Sequence, residues 1–168
     1  MASEISHWTF EARSPYVARP DKEREILGHF ADADNPARLV TLRGAGGMGK
    51  TRLAVACAHQ AAPLFRGGVY AVRLDNTLPA APAVAKAIAS AFDLTEEQTT
   101  PDGLLAALAK RPPTLLLLDN FESVACEEVR VFVRALIQGA PDLRVHEAGK
   151  TDMLACMQAY REIQYPTL

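Results

Sequence analysis

The chain has 168 residues, of which 49% are hydrophobic and 23% charged, and carries a formal net charge of −2. That is the size and composition of one soluble globular domain with a real core. The charge supplies no electrostatic reason to expect nucleic acid or an acidic membrane as a direct partner, and no apolar run approaches the length of a membrane span. Cys57, Cys126 and Cys156 are widely spaced and odd in number, which suits free thiols better than a disulfide framework or a metal site. With no secretory signal in Met-Ala-Ser-Glu-Ile-Ser-His, a cytoplasmic location is expected.

In chain order, residues 1–15 carry Trp8 and Phe10 among polar neighbours and read as an N-terminal arm or a lead-in strand. Residues 21–30 follow as an amphipathic helix, with acids in its first turn and Ile26, Leu27 and Phe30 on a face expected to lie on the edge of a sheet. Asp34-Asn35-Pro36 turns the chain into a short apolar run at 39–42, the kind that makes a buried parallel strand. A helix rich in alanine runs from Lys50 until Pro63 stops it. Gly67-Gly68 leads into a second strand at 69–74. Crossover helices follow Pro82, with Val84, Ile88 and Phe92 inward, and Pro101, with Leu104, Leu105 and Leu108 inward. After Pro112-Pro113, four leucines ending in Asp119 form a third strand. Val129, Phe132, Val133, Leu136 and Ile137 then mark one face of a helix closed by Gly139 and Pro141. Strands alternating with helices predict an α/β layered fold on a mainly parallel sheet.

Between the first strand and its helix lies Gly44-Ala45-Gly46-Gly47-Met48-Gly49-Lys50-Thr51, which fits glycine, four residues, glycine, lysine and a hydroxyl residue. Glycines let successive N–H groups point into one hollow, and the helix beyond aims its positive dipole end there. Lys50 adds a charge for the β and γ phosphates, and Thr51 is placed to ligate Mg²⁺. Asp119, at the C-terminal end of a buried strand, stands where open α/β sheets bind ligands and where a carboxylate holds Mg²⁺ opposite the loop threonine. Asn120 and Glu122 follow at once, and either can contact an attacking water, although Asn has no useful basicity. His7, His29, His59 and His146 lie apart from one another in sequence and read as surface or packing residues.

Gly44 to Ala54 together with Leu115 to Glu122 resembles the Walker A and Walker B pair of the STAND ATPases, the NB-ARC-like signalling and regulatory NTPases. Tyr16-Val17-Ala18-Arg19 is similar to the motif those proteins carry ahead of the core, with Ala18 for the usual Gly and Pro20 for a frequent acid. The resemblance implies a three-layer P-loop NTPase sandwich over residues 16–145, preceded by the arm and followed by an unmatched tail at 146–168. It implies contacts to ATP or ADP from Val17, Arg19, Gly44, Gly46, Gly47, Met48, Gly49, Lys50, Thr51 and Arg52. It further implies Mg²⁺ on Thr51 and Asp119, and catalytic roles for Lys50, Asp119, Asn120 and Glu122.

In that family 141–145 would run on as an apolar strand between the two Walker strands and end in a Thr-Ser-Arg-like sensor. Here the chain reads His146-Glu147-Ala148-Gly149-Lys150-Thr151. The sheet is therefore expected to be incomplete in its C-terminal part, with a gap in its middle, as in a truncated or frame-shifted product. The tail is expected to be a helix through Leu154, Met157 and Tyr160 or Arg161. The function implied is a Mg²⁺-dependent nucleotide switch, with weak or absent hydrolysis by this chain alone, and with protein partners or self-association as readout. A different P-loop enzyme, such as a small-molecule kinase, and a non-catalytic interaction fragment are the alternatives.

Overall fold

The computed structural model describes residues 15–149 and 160–164. Five parallel strands form one sheet: β1 (Leu39–Arg43), β2 (Val69–Arg73), β3 (Thr114–Asp119), β4 (Leu143–Gly149) and β5 (Tyr160–Gln164), in the order β2-β3-β4-β1-β5. Among the described residues five α-helices cover it: α1 (Pro20–Ala31), α2 (Lys50–Ala61), α3 (Ala81–Ala91), α4 (Pro101–Leu108) and α5 (Glu127–Gly139). The α/β layering on a parallel sheet predicted from the alternation of elements is observed, as is the three-layer sandwich that the resemblance implies.

β1 and β3 are buried on both faces, which is why they read as largely apolar runs and not as alternating ones. Leu115 and Leu117 of β3 pack with Val40 and Leu42 of β1 beneath α1 and α2. Leu116 and Leu118 pack with Leu143 and Val145 of β4 beneath α3, α4 and α5. The face of α5 predicted from its spacing is the one that is buried, from Val129 to Ile137. Pro20 and Pro101 each stand in the first turn of their helices, where a missing N–H costs nothing. Thr100 caps α4 by accepting the Gly103 N–H at 3.1 Å.

Three expectations are corrected. The helix at α1 does not sit at the sheet edge: Phe30 packs edge-on against Phe65 and against His146 of the inner strand β4, at 5.9 and 5.7 Å between ring centres. The gap between the Walker strands is filled, because β4 pairs with β1 on one side and β3 on the other. Of its buried polar residues, Glu147 accepts a hydrogen bond from the Thr41 hydroxyl at 2.8 Å, whereas neither ring nitrogen of His146 has a hydrogen-bond partner among the described residues. A division at residue 145 would therefore cut through β4. Finally, Tyr160 and Arg161 belong to strand β5, paired in parallel with β1, and not to a helix. Leu154 and Met157 lie outside the described residues, as do Trp8 and Phe10.

One arginine locks β4 to α5. Arg38, just before β1, donates to the carbonyls of Ile137, Ala140 at 2.6 Å and Leu143 at 3.1 Å. It thus satisfies orphan carbonyls at the end of α5 and places a cation at the negative end of that helix.

Candidate functional site

The loop between β1 and α2 crosses the C-terminal edge of the sheet. Gly47 and Gly49 have φ of 79° and 84°, a backbone region that a side chain rarely adopts, so the loop's course needs glycine at both. Gly49 is the N-cap of α2 and offers no side-chain cap. α1 and α5 each carry two acids in the first turn, whereas α2 carries none. No acid of its own offsets its positive end, which suits an external anion.

Lys50 is nearly buried, and its ammonium donates to the carbonyls of Gly44 at 2.8 Å and Ala45 at 2.7 Å. The loop's own oxygens thus hold the charge at the mouth of the anion hollow. The Thr51 hydroxyl donates to Asp119 Oδ1 at 2.7 Å, so the ends of α2 and β3 meet. Burial, above all, raises the Asp119 carboxyl above the usual carboxylate range, against the lowering effects of the Thr51 hydrogen bond, the Arg73 charge and the Asn120 N–H. Two hard oxygens at one edge are a donor set that suits a small divalent cation.

A cavity of about 660 Å³ opens over these groups. Gly46, Gly47, Met48, Gly49, Lys50, Thr51 and Arg52 line it from the loop and helix, Asp119 from the end of β3, and Asn120 and Glu122 from just beyond it. Val17 and Arg19 line it from the segment before α1, with Val17 75% exposed. Gly44 is not among the lining residues and acts through the carbonyl that takes Lys50. Every other predicted contact residue is brought to this one cavity.

Asn120 sits at φ 56° and ψ 38°, a left-handed conformation that Asn tolerates better than most residues, and it turns the chain into a short 3₁₀ turn over Phe121–Ser123. That turn places Glu122 on the cavity wall with its Oε2 buried and without a hydrogen-bond partner among the described residues. Gly149 makes room beside it, since a Cβ there would lie 2.7 Å from Glu147 Oε1 and 3.2 Å from Glu122 Oε2.

Sequence reasoning missed four participants. Pro15, Tyr16 and Ala148 also line the cavity, and Glu23 accepts hydrogen bonds from the segment carrying Tyr16 and Arg19. The available signal was the helical spacing of Arg19 and Glu23, four residues apart across the start of α1.

No protein-family model matches the chain, and no curated protein matches its sequence. Solved structures do resemble it in fold. A DNA replication initiation factor has a TM-score of 0.55 at 15% identity, covering 86% of this chain and 44% of its own. Cdc6p from Pyrobaculum aerophilum has a TM-score of 0.61 at 18% identity, covering 85% and 42%. Drosophila ORC, in a complex with AT-rich DNA and Cdc6, has a TM-score of 0.59 at 13% identity, covering 86% and 53%. The chain spans about half the length of the structures it matches. At such identities the likeness shows the fold, a P-loop NTPase-like sandwich. Among the described residues no helix is long and apolar enough to cross a membrane.

Proposed function

We propose that this chain binds ATP or ADP with Mg²⁺ as the nucleotide-binding domain of a STAND-like switch, with β5 completing the sheet of the domain. The observation that carries the reading is the convergence of Lys50, Thr51 and Asp119 on a single cavity at the start of a helix that carries no acid in its first turn.

Each residue has a task that follows from its surroundings. Lys50, whose ammonium is held by the Gly44 and Ala45 carbonyls, would turn its charge to a bound phosphate. Thr51 and Asp119 would hold Mg²⁺, whose chemistry there is to neutralise charge on the phosphates. Glu122, with Asn120 beside it, orients water at the far wall. Val17 and Arg19, and Arg52 on α2, complete the ligand's surroundings. As a switch, the domain holds one arrangement with nucleotide and another without, and presents that difference to a protein partner or to a second copy.

A second reading comes from the fold neighbours, which are replication initiators, one of them solved on DNA. A net charge of −2 gives this segment little to hold a phosphate backbone with, so we favour the switch.

Titrating ATP into the purified protein, with and without Mg²⁺, tests the reading. Lys50→Ala should weaken binding roughly 10- to 150-fold, the loss of one charge-assisted hydrogen bond of about 1.5–3 kcal/mol, with the fold kept. A folded variant that binds as the parent does would remove the phosphate-loop assignment.

A further inference from the structure

Besides the phosphate loop, the cavity is walled by Pro15, Tyr16, Val17 and Arg19, in a segment that runs without helix or strand into α1 and is held by one carboxylate. Glu23 Oε1 accepts the Tyr16 hydroxyl at 2.6 Å and the Arg19 backbone N–H at 2.9 Å. Its Oε2 accepts the Gln60 side-chain amide at 2.9 Å. Gln60 lies on α2, the helix that begins with Lys50 and Thr51. A single side chain therefore joins three pieces: the extended segment, its own helix, and the helix that carries the phosphate site.

The two ends of the cavity differ in chemistry. A polyphosphate takes the loop end, with its N–H groups and Lys50. What remains beside Pro15, Tyr16 and Val17 is a surface of ring and aliphatic carbon, suited to the uncharged part of a ligand. An extended segment of this kind presents a defined surface only if its backbone is tied down. Glu23 supplies the tie, and its partners keep it ionised, with the Tyr16 hydrogen bond foremost in lowering the carboxyl below its usual value.

We propose that Glu23 is a positioning residue of the nucleotide site: it fixes Tyr16 and Arg19 to α1 and, through Gln60, to the phosphate-loop helix, and so sets the surface that receives the base and sugar. This rests on the nucleotide reading given above. Glu23 itself need not touch the ligand.

Calorimetric binding of Mg·ATP and of inorganic tripolyphosphate to the full chain separates the two ideas, because tripolyphosphate engages only the loop end. Glu23→Ala should weaken Mg·ATP about tenfold and leave tripolyphosphate within about twofold. Tyr16→Phe, which removes the hydroxyl that Glu23 holds and keeps the ring, should weaken Mg·ATP about threefold with tripolyphosphate again unchanged. Equal losses for both ligands would make Glu23 a general support of the fold, and no loss for ATP would mean that it positions nothing; either overturns the proposal. Should Glu23→Ala fail to fold, Tyr16→Phe is judged by the same two criteria. A parent that binds tripolyphosphate as tightly as ATP keeps the phosphate loop but sinks the role of Glu23, whereas a parent that binds neither sinks the nucleotide reading and this inference together.

Discussion

Strands β3 and β4 lie side by side in the middle of the sheet, each paired on both edges, yet their interiors are built on different terms. β3 is apolar from Leu115 to Leu118 and keeps its one acid for the last position, Asp119, where the strand opens onto the cavity. β4 carries His146 and Glu147 well inside. Leu117 and His146 are register partners on neighbouring strands. The leucine belongs to the core beneath α1 and α2, and the imidazole meets Phe30 of that core with neither ring nitrogen hydrogen-bonded. A polar group at a strand tip is available to a ligand, whereas the same chemistry two or three residues deeper is a desolvation cost that neighbours must offset. Thr41 does so in part for Glu147. Nothing does so for His146 among the described residues.

The contrast can be broken at three places. The largest effect is expected at Leu117→Ala, where a fully buried leucine leaves a cavity under two helices; urea denaturation should show a loss of about 2–5 kcal/mol. A loss well under 1 kcal/mol would mean that this face of β3 is not close-packed, and the comparison would fail at its first term.

Next comes acid. Burial lowers the His146 pKa from 6.5 to about 4. The unfolded chain therefore binds a proton that the native state refuses between those values. His146 costs no stability through protonation above pH 6.5, and stability falls progressively as pH drops from 6.5 to 4, by about 3 kcal/mol in all. His146→Leu should remove that part of the acid sensitivity and leave stability at pH 7 equal to or above the parent's, opposite in sign to the change at its register partner. Identical acid profiles for parent and variant would assign the sensitivity to other groups.

The smallest effect on stability is expected at Asp119→Asn. Because burial raises the carboxyl's pKa in the native state, its contribution favours the fold at acid pH and is lost as pH rises through the native value. The amide cannot ionise, so the variant should melt at a slightly higher temperature than the parent at pH 7, and at acid pH the difference should vanish. Mg²⁺ should no longer alter its ATP binding. A variant that melts earlier and keeps its Mg²⁺ response would make Asp119 a structural residue of the strand end.

The parts of the molecule that were legible before folding are those whose signal is local. The spacing of Val129, Phe132, Val133, Leu136 and Ile137 reports one buried helix face, and four leucines in succession report a strand buried on two. The phosphate loop is legible for the same reason, since glycines, lysine and threonine must follow one another along the chain to shape one hollow. β4 was not legible beyond Val145, because composition argues against a strand once His146 and Glu147 appear. Its identity is decided by the ladders that β1 and β3 offer on either side.

The sequence by itself determined the layered α/β class, the phosphate loop and the carboxylate that faces it, all of them properties of residues close together in the chain. Tertiary structure alone decided which distant groups meet. Arg38 reaches carbonyls of α5 and β4 that lie 99 to 105 residues away. Glu23 joins Tyr16 to Gln60, 37 residues beyond Glu23 itself. Such partners are chosen by packing, because a buried or half-buried polar atom takes whatever donor or acceptor the fold brings within reach, and residue spacing carries no record of that choice.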